Sequence, residues 1–277
     1  MFEEFHYRLP WRTRSAHPGH HASVHSGGEH EFRGHAPLMS RPLAQHIDIH
    51  ASLLDPFGQF MVRTFKQQGR ATVQIVADLS ASMGFHRKMQ TLARFTELTA
   101  FSAFRTGDHF AFAGAGDDWL PELALMPRWY KGGVSEFAEQ LSQFQPESAT
   151  CRGLLAADRH CPRERSLVFL VSDFHLPEAF ICQMLDELLH HDVIPVVLWH
   201  DQEYQSLPEW GLLRLHDAET GQDKTLWLRP GLKRKIEAHF ERRKQALRHI
   251  FSRYPRQPLF LNENFTADQL TRYFYEQ

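Results

Sequence analysis

The chain has 277 residues, of which 42% are apolar and 22 are phenylalanine, enough for one large domain or for a domain with an appendage. Its formal net charge of −2 produces no strong field toward nucleic acid or an anionic membrane, so we expect neither as a partner. The chain contains no run of about 18 apolar residues, which argues against a membrane span.

Residues 1–70 form the first region of the chain and hold nine of the nineteen histidines, many Gly and Pro, and little periodicity. We predict a loop-rich N-terminal segment that packs on the main domain. Four close histidines, His17, His20, His21 and His25, allow a metal-binding interpretation. Solvated loop histidines are the favoured interpretation, because no cysteine joins them and no helical spacing places two on one face.

The second region, 71–277, alternates between two apolar patterns. Short β-branched runs predict buried strands at 71–77, 108–115, 119–126, 167–171 and 193–199. Apolar residues at helical spacing predict helices at 87–105, at 134–144, after Pro177, after Gly231 and at 266–275. The alternation predicts an α/β domain with a doubly wound, mainly parallel sheet. Pro195 lacks a ladder donor, so its strand is expected near an edge or with an irregularity.

Two of the predicted strands are followed by aspartates, Asp78 and Asp173. Ligands of open parallel sheets bind at the carboxyl ends of the strands, where the strand order reverses. After Asp78 the chain continues with Ser80 and Ser82, so three oxygen-bearing side chains alternate in one turn, and Thr150 in a later loop offers another hydroxyl. Carboxylate and hydroxyl oxygens suit Mg²⁺, with Mn²⁺ or Ca²⁺ as alternatives.

In order and spacing, these five residues resemble the metal-ion-dependent adhesion site of von Willebrand factor A domains, which have a Rossmann-type fold. The resemblance implies that Ser80 and Ser82 bind the metal directly and that Thr150 binds it directly or through water. It implies that Asp78 and Asp173 act mainly through water. The alternative is a strand-to-helix turn in which a serine caps the following helix. Since the shell carries few formal charges, an acidic residue of a protein partner is expected to complete it.

Upstream segments resemble the bacterial family catalogued as domain of unknown function 58, whose members place such a segment before a von Willebrand factor A-like domain. The matching segments are Gly19–Ser23, Gly27–Phe32, Ile47-Asp48 and Val62-Arg63-x-Phe65. Where the family has Gly-Asp, Arg and Trp, this chain has Arg41-Pro42, Gln45 and Ile49. The resemblance implies association with a MoxR-type AAA+ ATPase or its client, as a non-enzymatic adaptor in protein-complex maturation or metal insertion.

A metal-dependent phosphohydrolase using Asp78 is the alternative function, because enzymes that form an aspartyl-phosphate also begin with an aspartate after a strand. Such enzymes usually need a second acid two residues later, and Ser80 stands there. The sequence therefore favours binding over catalysis.

A basic stretch runs from Lys233 to Arg256. A solvated helix face is the favoured interpretation, a docking surface for an acidic partner is the second, and nucleic-acid binding is the least favoured, because no aromatic residues are interleaved with the charges.

The three cysteines, Cys151, Cys161 and Cys182, have no paired spacing and favour a reducing compartment. The polar N-terminus does not look like a secretory signal, so we expect a soluble cytoplasmic protein. Cys151 follows Thr150 directly, and a buried or incidental thiol is favoured over a redox role.

Overall fold

The computed structural model of the chain describes residues 3–13, 18–40, 44–131, 134–200, 210–216 and 223–276. The chain divides into two compact units. The smaller unit comprises 9–71 and 106–108, and the larger unit comprises 1–8, 72–105 and 109–277.

The smaller unit contains an antiparallel pair of strands, β1 (Pro18–Pro37) and β2 (Met61–Gly69), and a short helix, α1 (Ile49–Leu53). The sequence predicts loops in this region, whereas the structure has a two-stranded sheet. Repeated register shifts between β1 and β2 explain why the sequence lacks the period of two that marks a strand. His17 lies outside the described residues, and the packing of this segment on the main domain stays a prediction.

The larger unit is built on one six-stranded sheet with the order β10-β7-β6-β3-β4-β5. Its strands are β3 (Thr72–Asp78), β4 (His109–Ala115), β5 (Trp119–Arg128), β6 (Leu167–Ser172), β7 (Asp192–Leu198) and β10 (Leu259–Leu261). All neighbouring pairs are parallel except β4 with β5. The remaining strands, β8 (Gly211–His216) and β9 (Asp223–Leu228), form a separate antiparallel hairpin.

In the described part of the larger unit the helices are α2 (Lys88–Arg105), α3 (Val134–Gln143), α4 (Glu178–Glu187), α5 (Pro230–Phe251) and α6 (Ala267–Tyr275). The described residues of this unit also form 3₁₀ segments at Ala81–Gly84 and Arg152–His160. A capping box between Thr266 and Gln269 fixes the start of α6. Among the described residues, no helix combines the length and the hydrophobicity needed to cross a membrane.

Helices cover both faces of the sheet, as the central strand β6 shows. All six of its residues are buried, which a strand covered on two sides requires. The Phe169 ring meets Phe95 of α2 and Phe274 of α6 on one face. On the other face Leu170 belongs to a cluster that includes residues of α4 and α5. The sheet is therefore doubly wound, with its order reversing between β3 and β6.

This architecture confirms the predicted α/β class and mainly parallel sheet. Pro195 lies on a strand with neighbours on both sides, yet β10 pairs only with 196–198, just beyond the proline. The short strand β10 and the hairpin of β8 and β9 are not among the elements predicted from sequence.

Truncation of the central strand should separate core packing from surface effects. We expect Leu170→Ala to lower the free energy of unfolding by about 2–5 kcal/mol, because its fully buried side chain leaves a cavity between sheet and helices. Leu189→Ala removes the same atoms from a side chain that is 62% exposed, and should change it by less than about 0.5 kcal/mol. Urea unfolding of both variants tests this, and equal losses would contradict the assigned core.

Candidate functional site

Two buried aspartates lie side by side at the switch point of the sheet. Asp78 ends β3 and Asp173 follows β6, and these strands are adjacent and parallel, with Ala77 opposite Val171. Their exposed fractions are 1% and 2%. Asp78 accepts hydrogen bonds from the Ser80 backbone N–H at 2.9 Å and from the Ser172 hydroxyl at 2.7 Å. Neutral donors therefore satisfy both oxygens of the Asp78 carboxylate.

The turn after Asp78 brings two serine hydroxyls together. Ser80 Oγ and Ser82 Oγ are 3.3 Å apart. The next residue, Met83, is fully buried and anchors the segment that leads from the serines to α2. Ser80 occupies the position before the 3₁₀ segment, but in the described structure its side chain makes no capping hydrogen bond there. The Ser80 hydroxyl thus faces Ser82, which disfavours the helix-capping alternative for Ser80.

Thr150 also lies at the carboxyl ends of the strands, but its hydrogen bonds go to Asp117. Its loop joins the serine turn through Ser148, whose carbonyl accepts from the Ala81 N–H at 2.8 Å. The Thr150 backbone N–H donates to Asp117 Oδ1 at 2.9 Å, and the Thr150 hydroxyl donates to the same oxygen. Asp117, in the turn between β4 and β5, is thus an acidic neighbour that sequence reasoning missed.

Lys88 is the second residue that sequence reasoning missed. It is the first residue of α2 and only 4% exposed, and its Nζ donates to Asp173 Oδ2 at 3.0 Å and to the Ser82 carbonyl at 3.4 Å. The ammonium therefore links one of the aspartates to the serine turn. A lysine ten positions after Asp78 carries no periodic signal, because a lysine at a helix start is ordinarily solvated.

The two carboxylates differ in their affinity for a proton. Burial, together with the neighbouring charge of Asp173, raises the pKa of Asp78 to about 6. Burial also raises the pKa of Asp173, but the charges of Lys88 and His175 and the hydrogen bonds from them outweigh it and lower that pKa to about 2. The pair therefore holds one firmly ionised carboxylate, Asp173, and one that ionises at a cost.

The loop after Asp173 is held in an unusual backbone conformation. Phe174 is a buried aromatic residue with a φ of 51°, a region that bulky side chains rarely adopt. Ser172 Oγ accepts from the Phe174 N–H at 3.0 Å, and the Trp199 indole N–H donates to the Asp173 carbonyl at 2.9 Å. The Arg243 guanidinium donates to the carbonyls of Phe174 and Leu176. These bonds fix the position of Asp173.

Two arginines of the basic stretch serve the fold. Arg243 holds the loop just described, and Arg256 forms a buried pair with Asp192 at 2.8 Å. The solvated-face interpretation of the stretch therefore fails at these two positions, because their guanidinium groups satisfy buried carbonyl and carboxylate oxygens.

The geometry also bears on the phosphohydrolase alternative. A nucleophilic aspartate needs an ionised, accessible oxygen. Asp78 is buried, and both of its oxygens already accept hydrogen bonds. The arrangement disfavours attack by Asp78.

A second group of potential metal ligands lies at the other ends of the strands. His190 Nδ1 and His191 Nε2 are 3.4 and 3.9 Å from Asp158 Oδ1. However, His191 Nδ1 accepts the Ser166 backbone N–H at 3.2 Å. Burial lowers the pKa of His191 to about 4, so the ring is neutral and its one proton must be on Nε2. That nitrogen has no lone pair for a metal, and the cluster does not fit one.

A doubly wound sheet with a D-x-S-x-S turn at its switch point defines the larger unit as a von Willebrand factor A-like α/β domain. Residues 57–249, more than half of the chain, match the family described as "Protein of unknown function DUF58". The chain belongs to this family.

Three proteins are similar to this chain. A Paracoccus denitrificans protein described as an uncharacterized protein in the moxR 3′ region is 32% identical over 98 residues, which are 35% of this chain and 93% of that protein. The BatB structure from Bacteroides thetaiotaomicron is 11% identical, with a TM-score of 0.41 over 74% of this chain and 98% of its own. A von Willebrand factor type A structure from Catenulispora acidiphila is 16% identical, with a TM-score of 0.36 over 77% of this chain and 43% of its own.

The raised pKa of Asp78 predicts a pH dependence of stability in the presence of a chelator. Below pH 3.8 Asp78 is protonated in both folded and unfolded chains, and its contribution to stability is complete. As the pH rises through about 6 that contribution is lost, by roughly 3 kcal/mol, because the folded state must then hold a second buried charge. We expect Asp78→Asn to abolish this loss.

Urea unfolding as a function of pH measures the effect, with Asp268→Asn, an exposed aspartate of α6, as the control. The control should follow the wild type. If the Asp78→Asn and wild-type curves run parallel between pH 3.8 and about 6, the assigned pKa shift is wrong.

Proposed function

We propose that the cluster formed by Asp78, Ser80, Ser82 and Asp173 is a site for a divalent cation, Mg²⁺ or Mn²⁺, through which the protein binds a carboxylate of a protein partner. The observation that carries the proposal is that two serine hydroxyls and two buried carboxylates lie together at the carboxyl ends of β3 and β6. In this role the protein is a binding adaptor without catalytic activity of its own.

The donor set fits a small, hard cation. Adjacent ligands of an octahedral ion with bonds of about 2.1 Å lie about 3 Å apart, and the two serine hydroxyls are 3.3 Å apart. Asp78 accepts a hydrogen bond from the Ser80 N–H, and burial and the neighbouring charge of Asp173 raise its pKa. A cation held there would favour the ionised form of Asp78.

Each residue has a distinct part in this proposal. Ser80 and Ser82 would bind the ion directly, and Asp78 and Asp173 would act on it mainly through water. Thr150 would join them only if its hydroxyl left Asp117, to which it now donates. When bound, the cation supplies a Lewis-acidic position for an oxygen of the partner. Because the direct ligands are neutral hydroxyls, a carboxylate is the partner group that balances the charge.

The proposed partner is a MoxR-type AAA+ ATPase or its client. The relative described as lying in the moxR 3′ region supports this choice, as does membership in the family. Adaptor function suits a site whose aspartates are buried while one of its hydroxyl-bearing residues, Ser82, is partly exposed.

Calorimetry tests the cation site. We expect Mg²⁺ and Mn²⁺ to bind the wild type, and Ser80→Ala/Ser82→Ala to lose binding, because the two neutral ligands are removed. Ser142→Ala, at the end of α3 and away from the cluster, is the matched control and should bind like the wild type. Retention of binding in the double variant would refute the assigned ligands.

The partner is tested on the same variants. Capture of a purified MoxR-type ATPase should require the cation and should fail with the double variant, while Ser142→Ala captures it normally. Capture that is insensitive to both the cation and the double substitution would place the contact on another surface.

A further inference from the structure

The buried Lys88 ammonium lies within the proposed cation site. Its Nζ donates hydrogen bonds to the carboxylate of Asp173 and to the backbone carbonyl of Ser82, so it contacts both an aspartate and the serine turn of the site. The side chains of Lys88 and Asp173 are 4% and 2% exposed, which makes this a fully desolvated ion pair. Unlike the loss of a partner in a surface pair, removal of either partner here would leave an uncompensated buried charge.

Helix stability does not account for this position of the charge. Lys88 is the first residue of α2, where the helix dipole disfavours a cation, and its burial adds a desolvation penalty. The observed partner of the ammonium is the Asp173 carboxylate. Lys88 therefore supplies positive charge to Asp173, whereas Asp78 has only neutral donors.

A divalent cation and this ion pair compete for the same carboxylate. An ion held by the two serine hydroxyls would lie beside the ammonium that bonds Ser82 and Asp173, and like charges at such separations repel strongly in a buried site. We propose that Lys88 is an internal counter-ion that closes the site, so that cation loading requires Nζ to leave Asp173. This inference rests on the proposed cation site and adds its regulation.

The surroundings of Lys88 permit this exchange. The lysine stem is long and flexible, so Nζ can move outward without any change in α2. Phe85, whose ring centroid is 5.7 Å from Nζ, is 41% exposed and provides an aromatic face along the way to solvent. The neighbouring Arg87 is already exposed.

Competition sets the apparent affinity of the site. When the closed form dominates, the apparent dissociation constant rises by the inverse of the open fraction. Removing the ammonium should remove that factor, so we expect Lys88→Met to bind Mg²⁺ at least about tenfold more tightly than the wild type. Arg87→Met removes a neighbouring, exposed charge and should change the affinity by less than about twofold.

Exposure of the Lys88 ammonium can be measured in the wild-type protein, so this test does not depend on the folding of a variant. Lysines are acetylated with a water-soluble amine reagent, with and without Mg²⁺, and labelling is quantified by mass spectrometry. We expect Mg²⁺ to increase labelling of Lys88 several-fold, because Nζ leaves its buried pair. The exposed Lys131 is the internal control and should be labelled equally under both conditions.

The outcomes separate the two proposals. Mg²⁺ binding with unchanged protection of Lys88, and with equal affinity in Lys88→Met, overturns the counter-ion and leaves the cation site intact. Failure of both the wild type and Lys88→Met to bind Mg²⁺ or Mn²⁺ overturns both. Tighter binding by Lys88→Met together with increased labelling of Lys88 supports both.

Discussion

Two buried aspartates lie together at the carboxyl ends of neighbouring parallel strands, Asp78 as the last residue of β3 and Asp173 directly after β6. The other polar contacts of the site compensate this concentration of negative charge. The switch point places Asp78 and Asp173 together because β3 and β6 are adjacent and run in the same direction. Two buried like charges cannot both ionise without compensation. The structure provides it unequally, with Lys88 pairing with Asp173 while Asp78 accepts bonds from neutral donors.

The polar residues around the pair follow from the same constraint. Ser172 bonds Asp78 with its hydroxyl hydrogen and accepts from Phe174 with its oxygen, so one side chain connects both carboxylate-bearing segments. Arg243 and Trp199 hold the loop after Asp173 by its carbonyl groups. Several hydrogen bonds therefore hold the carboxylate-bearing segments, whereas Ser82 and Lys88 lie on the 3₁₀ turn and at the start of α2. That difference is what an exchange between an internal and an external cation needs.

The sheet could be predicted from the sequence because its strands are continuous apolar runs, of which 167–171 is the clearest. The bulged strands β1 and β2 lack a regular period, and β10 has only three residues, so local patterns were insufficient there. The D-x-S-x-S turn was predictable from spacing. The contacts of Lys88 with Asp173 and of Thr150 with Asp117 join residues 85 and 33 positions apart, and no local pattern specifies such pairs.

In our proposal a cation and the Lys88 ammonium are alternative occupants of one site. Crystals grown with Mn²⁺ would locate the ion by its anomalous scattering and Lys88 Nζ by the electron density. We expect an anomalous peak between the hydroxyls of Ser80 and Ser82, with Lys88 Nζ withdrawn from Asp173. A peak at Asp158 and the adjacent histidines, or none at the serines with the Lys88–Asp173 pair intact, would contradict it.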